Sequence, residues 1–302
     1  MIARTPLLNR WMRAPFAAAF AVFLTVAILV MGASQAQAAD VSNSLVFIKT
    51  YHTGTGTVEV HAFSRASGYS ARQVGTGSGF STRDDGNGVW QISGNDLYFI
   101  KLWSTGSGRV EVHAYSGASN YQTKIVAAAS GFSAQDATNG TWQIVGRDLY
   151  FIKSRNTGSG RVEVHAYSGA SNYQTKIIAS ATAFSTQDDR YGIWQMDAAG
   201  NLYFIKTWNT GTGTVEVHAL SRSSNYQSRI VGCGSGFSTR DAGNGTWQIL
   251  GNDLYFIKYY STGSGRVEVH AYSGQSCYKT KIIASPSALS AYESVYGHFS
   301  VH

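Results

Sequence analysis

The 21 residues TGSGRVEVHAYSGASNYQTKI occupy positions 105–125 and return unchanged at 157–177, and three looser copies stand elsewhere in the chain. An apolar pentad anchors every copy: LVFIK at Leu45, then LYFIK at Leu97, Leu149, Leu202 and Leu254, spaced 52, 52, 53 and 52 residues apart. A unit this small cannot bury both faces of its own sheet, so repeats of this kind bury their apolar faces against one another. Five units fill residues 39–302 and leave no length for a second domain.

Within a unit the pentad reads as one strand, a Gly-rich NTGSG or STGSG hairpin turn follows, and RVEVHAYS is the second strand. GASNYQ turns the chain into a third strand, TKIVAAA. A polar loop such as STRDDGNG leads to a fourth, TWQIVG, and a short Gly-Asn-Asp or Gly-Arg-Asp turn returns to the next pentad. No unit carries a helical apolar period. Four short strands per 52 residues predict an all-β chain, a five-bladed β-propeller of four-stranded blades. The chain opens on a pentad with no Trp strand before it. It stops on YGHFSVH, which sets Phe299 where Trp90, Trp142, Trp194 and Trp247 stand. The C-terminal strand is therefore expected to complete the first blade and close the ring.

The first 38 residues are read apart. Arg4, Arg10 and Arg13 precede an apolar run from Ala14 to about Met31, and Ala36-Gln37-Ala38 supplies small residues for cleavage before Ala39. This predicts a secretory signal peptide; the long apolar run leaves an uncleaved anchor as the other reading. Residues 39–302 contain no apolar stretch of spanning length, so a secreted chain without a membrane span is expected. The net charge of +7 falls to +4 without the leader, and the basic residues stand singly. That distribution argues against nucleic acid as partner. Cys233 and Cys277 interrupt the repeat pattern in a compartment that permits disulfides; one bridge between neighbouring units and two separate thiols are both open. Two cysteines do not make a metal site, and no cofactor or metal is expected.

The pattern DLYFIK-x3-TGSG-x-VEVHAYSGASNYQ resembles the FG-GAP/VCBS-type repeats of the Psathyrella velutina lectin family, over all five units. The resemblance implies a propeller with sugar sites between successive blades. It does not bring calcium with it, because the loop that holds calcium in such repeats is cut here to SGND, VGRD, DAAGN and LGND, too few oxygens for a Ca²⁺ cage.

Three sets of residues are candidates for carbohydrate binding. The first is one position per unit after the pentad, Tyr51, Trp103, Arg155, Trp208 and Tyr260; a ring there suits the C–H face of a pyranose. The second is the polar-loop acids Asp84, Asp136, Asp188 and Asp241, expected on the same rim. The third is the histidine of each Glu-Val-His, His61, His113, His165, His218 and His270, which strand alternation puts on one face with its glutamate. In a functional reading these histidines face the pocket of the rim aromatics. In a scaffold reading each glutamate pairs with the pentad lysine (Lys101 in unit two) and each histidine fills a hydrogen-bonding slot between blades. The SGASNYQ turn on the opposite rim is a further candidate, with its tyrosine read as core. Near-identity of the units argues for many equal weak sites rather than one active site, so no catalytic residue is assigned and a non-enzymatic lectin is expected. A protein-binding or adhesion propeller is the first alternative, and a glycan hydrolase with one asymmetric site, around unit five or Arg155, is the second.

Overall fold

The computed structural model describes residues 38–302; the expected leader up to Gln37 lies outside the described residues. The described chain is all-β and forms five four-stranded antiparallel sheets. Sheet 1 contains Ser44–Lys49, Thr57–Ser64 and Arg72–Ser81, with Gly297–Val301 from the other end of the chain paired to Ser44–Lys49. Sheets 2 to 5 each take four consecutive strands, lying within residues 88–133, 140–185, 192–238 and 245–290. In the pairing of first and last strands Phe47 stands opposite Phe299, as Phe99 stands opposite Trp90 in sheet 2. Among the described residues no helix is long and apolar enough to cross a membrane.

The core lies between sheets. Pentad residues are buried on both faces, which is why these strands read as unbroken apolar runs, whereas Val110, Val112 and Ala114 are buried and alternate with half-buried Glu111 and His113. Five apolar clusters each join two consecutive sheets, and the last joins sheet 5 to sheet 1. At each seam a backbone N–H of one sheet donates to the tyrosine carbonyl of the next unit: Gly79 to Tyr121, Gly131 to Tyr173, Ala183 to Tyr226, Gly236 to Tyr278 and Ala288 to Tyr69, at 2.7–2.9 Å. These tyrosines hold φ between 59° and 63°, a region that bulky residues rarely enter, and all five are buried. Burial of the ring and the seam bond offset that backbone cost. The tyrosine of the SGASNYQ turn is thus core, as expected, and the glutamine after it also serves the seam: Gln122 donates to Gly77 O at 2.6 Å and Gln227 to Ala181 O at 2.7 Å. Sheets that meet in this order are consistent with a β-propeller.

The third strand runs further than the sequence suggests. It continues through Ser133 in sheet 2 (Lys124–Ser133) and ends in a single 3₁₀ turn over Ala134–Asp136. The added residues carry Phe132, which meets Trp142 of the next sheet edge to face at 4.9 Å, while that indole stacks on Phe151 at 4.1 Å. Gly131 lets the Tyr167 ring close in beside Phe132, because a Cβ there would fall 2.0 Å from that ring.

Cys233 and Cys277 form a disulfide. It ties the outer strand of sheet 4 to the turn after the Glu-Val-His strand of sheet 5, so of the two readings the bridge between neighbouring units is the one found. Its 44-residue span makes it a restraint on the unfolded chain. Changing both cysteines to serine is expected to cost about 2–4 kcal/mol in urea unfolding, with a somewhat steeper transition because the released unfolded chain exposes more surface.

Candidate functional site

The seam between sheets 1 and 2 opens into a pocket of 260 Å³ lined by Phe80, Asp84, Phe99, Lys101, His113, Tyr115 and Lys124 among others. Its apolar wall is Phe80 against Tyr115, ring centres 4.4 Å apart, with the Lys124 ammonium 5.6 Å from the Tyr115 centroid. Lys101 Nζ donates to Asp84 Oδ1 at 3.4 Å. His113 Nε2 lies 3.3 Å from Glu111 Oε2, and Ser107 donates to the other oxygen of that carboxylate at 2.9 Å. Donors, acceptors and ring faces therefore meet in one small cleft, a combination that suits a polyhydroxylated ligand.

The cation–acid pair recurs at three other seams. Lys153 reaches Asp136 at 3.3 Å and Lys258 reaches Asp241 at 3.9 Å; at the seam of sheets 5 and 1, Lys49 meets Glu293 at 3.8 Å. The histidine of every Glu-Val-His pairs with the glutamate two residues before it at 3.1–3.3 Å. The scaffold expectation that the glutamate takes the pentad lysine is corrected: the lysine, at the strand end, reaches the polar-loop acid, while glutamate and histidine share a face two residues apart. At the seam of sheets 3 and 4 the pattern changes. Lys206 lies 5.8 Å from the Tyr191 centroid, and Asp189 rather than Asp188 makes the contacts, accepting the Trp194 indole N–H at 3.0 Å and standing 3.5 Å from Arg155 Nε.

Burial holds His61, His113, His165, His218 and His270 below the ordinary histidine range, and nearby lysines and arginines act in the same direction against the pull of the paired glutamate. Burial pushes the Glu111 carboxyl up, but hydrogen bonds from Ser107 and His113 outweigh it and hold the group below its usual value. An imidazole whose folded pKa is depressed stabilises the fold fully above the unfolded value near 6.5 and loses that contribution as pH falls through the window below it. Five such groups predict a urea midpoint that is flat above pH 7.5 and falls clearly by pH 5. Each histidine can contribute at most about 1.4 kcal/mol per pH unit. A midpoint unchanged at pH 5 would contradict buried neutral imidazoles.

The predicted residues divide into two places. Asp84 and His113 share the seam pocket; Trp103 does not line it. The expectation that histidine and rim aromatic face one pocket is corrected, because the histidine points between the sheets and the aromatic sits outside the strand end. The backbone N–H groups of Tyr51, Trp103, Arg155, Trp208 and Tyr260 donate to carbonyls of the neighbouring polar loop at 2.9–3.1 Å, which fixes them on the rim expected. Their side chains stay out: Tyr51 is 57% exposed and Trp208 55%. Around Arg155 the rim holds a second cleft of 450 Å³, with Asn139, Asn156 and threonine hydroxyls. Sequence reading missed Lys124 and Tyr115 as pocket residues, and took Lys101 only as a partner for glutamate. The recurrence of a cation at the first position of every third strand (Arg72, Lys124, Lys176, Arg229, Lys281) was the available signal. Among the described residues no three metal-ligating side chains come together.

No protein-family model matches the chain, and no curated protein matches it; the resemblance to the lectin-family repeats extends to the four-stranded repeat and no further. Solved structures do match. A Bacteroides fragilis protein assigned as a 6-phosphogluconolactonase aligns at 11% identity and TM-score 0.43, covering 82% of this chain and 83% of that one. An exo-β-1,3-galactanase from Clostridium thermocellum aligns at 13% identity and TM-score 0.34, covering 67% and 48%. A puromycin hydrolase aligns at 11% identity and TM-score 0.38, covering 84% and 40%. These values carry no argument for any particular activity. The expectation of a non-enzyme is corrected: the solved structures that match bear enzyme names, and the equality of the units, on which that expectation rested, is no ground for it. The physical reason is that repetition does not exclude chemistry, as a single unlike unit suffices for one active site, and His298, Ser300 and His302 make unit five unlike the others.

Proposed function

We propose that the chain is a secreted five-bladed propeller, closed by its C-terminal strand, that binds carbohydrate at several of its seams. One observation carries the reading: the cleft of aromatic wall, cation and acid at the seam of sheets 1 and 2 is built from repeat positions whose side chains recur at the seams of sheets 2 and 3 and of sheets 4 and 5. The basic, apolar and small-residue leader supports export. The exposed rim aromatics and the cleft at Arg155 offer further polar and ring contacts for a longer glycan. The test is a glycan array probed with the secreted chain, with and without EDTA. Binding is expected to survive EDTA and to weaken several-fold when Lys101 and Lys153 become Met. A further loss in the Trp103→Ala, Trp208→Ala variant would extend the site to the rim. Silence across a broad array would remove the proposal. A second reading, a protein-binding face, is favoured by the cluster of Tyr51, His52, Tyr292 and Tyr296, whose rings meet at 4.4–6.3 Å. A natural partner that free monosaccharide fails to displace would select it.

A further inference from the structure

The Trp strands surround a central cavity, and four glutamines on them act as clips. Gln91 Oε1 accepts from Ile144 N at 2.8 Å while its Nε2 donates to Ile144 O at 2.7 Å. Gln143 grips Met196, Gln195 grips Ile249 and Gln248 grips Val301 in the same way, all at 2.7–3.2 Å. Each carboxamide thus crosses one seam and satisfies both backbone groups of one residue on the next inner strand. The fifth seam breaks the rule. Ser300 stands at the glutamine position, its side chain is too short to cross, and its Oγ lies 2.9 Å from His302 Nε2 instead. The residue left to be gripped is Ile92, which lines the cavity together with Ser300 and His302. Among the described residues no group donates to Ile92 O or accepts from the outward Ile92 N–H, although the residue is only 2% exposed. Buried backbone groups are almost always paired.

We propose that this seam is a ligand site for a cis-amide group, which takes the place of the missing fifth carboxamide against Ile92. The N–H and C=O of one strand residue point the same way, so their complement must present a C=O and an N–H side by side. A primary carboxamide, a lactam or a ureide does so. An ordinary secondary amide is trans and points the two in opposite directions, so the N-acetyl group of an amino sugar does not fit. The cavity below the glutamine ring measures 510 Å³ and is bordered by the short turns at Gly94, Gly146 and Gly251, which leave its mouth open on the rim opposite the polar loops. Burial presses the His302 imidazole down to about 4, so that ring is uncharged at neutral pH.

The test follows the Ile92 amide resonance of the full chain while propionamide, the cyclic lactam 2-pyrrolidinone or N-methylacetamide is added. The two cis-amide donors are expected to shift it saturably in the millimolar range, and N-methylacetamide to act at least tenfold more weakly. Ser300→Gln is expected to complete the ring of clips, abolish the shift and raise the thermal midpoint by about 2–4 °C. Ser300→Ala keeps the gap and is expected to keep the binding, which guards against a glutamine variant that merely misfolds. Equal response to N-methylacetamide, a response that survives Ser300→Gln, or no response at Ile92 would each overturn the proposal.

Discussion

Deleting Tyr296–His302 is expected to abolish cooperative folding of the whole chain, not merely to fray its end. These seven residues supply the inner strand of sheet 1, paired from Gly297 to Val301 with Ser44–Lys49. Phe299 stacks on Phe47 at 4.7 Å, Val301 is fully buried, and Val301 also receives the Gln248 clip that ties sheet 5 to sheet 1. The carbonyl of Tyr296 accepts from Thr50 and Tyr51, so the rim turn of sheet 1 is lost as well. Two large apolar side chains at about 1.5–3 kcal/mol each, one broken clip and a newly exposed strand edge approach the whole stability of a typical domain, about 5–15 kcal/mol. Without the strand, Leu45, Phe47 and the cluster they share with sheet 5 face water. The expected result is an aggregating product or a broad, denaturant-sensitive transition by circular dichroism. A truncated chain that melts sharply within about 5 °C of the intact one would refute the closing role of this strand, since about 1 kcal/mol shifts the midpoint by only 2–4 °C at this size.

How much of this could be read in advance depended on whether a residue's partner lay at a fixed repeat distance. The pentads, the alternation of Val110, Val112 and Ala114 with Glu111 and His113, and the alignment of Phe299 with the Trp positions are one-dimensional patterns, and strands convert them directly into faces and registers. The end of the third strand was hidden because Ser-Gly-Phe-Ser reads as loop, and only the ring of Trp142, supplied by the next sheet, makes Phe132 a core residue. The disulfide could not be assigned because sequence offers Cys233 and Cys277 no distance; their sheets meet only once the units are arranged side by side. Lys101 went to Asp84 rather than Glu111 for a comparable reason. A loop acid's reach across a strand end is a three-dimensional property. Symmetry, finally, is a better guide to the fold than to function. It explained why the units repeat, but the inner strand of unit five departs from it at His298, Ser300 and His302, and the expectation of a non-enzyme rested on treating all five units as equal.

Removing one seam's lysine is expected to change little on a dense glycan surface, and removing all five is expected to lower apparent affinity by about 10²–10⁴-fold. The reason is the way repeated shallow sites add. Once one site holds a surface-bound glycan, the others meet their ligands at high local concentration, and the loss of one contact leaves the rest engaged. Lys49, Lys101, Lys153, Lys206 and Lys258 are suitable probes because the acids they meet at four of the seams stay half-exposed and solvated, and methionine refills the largely covered path of the lysine stem. Lys→Met at every seam should therefore leave the melting temperature close to that of the parent while removing the cation from each cleft. Surface plasmon resonance at high and low glycan density separates the outcomes. If the seams act together, the parent dissociates far more slowly from the dense surface, the single Lys153→Met variant nearly matches it, and the fivefold variant dissociates quickly from both. Should one single-lysine variant lose binding as completely as the fivefold variant, a single asymmetric seam would be carrying recognition, and the repetition would serve the fold alone.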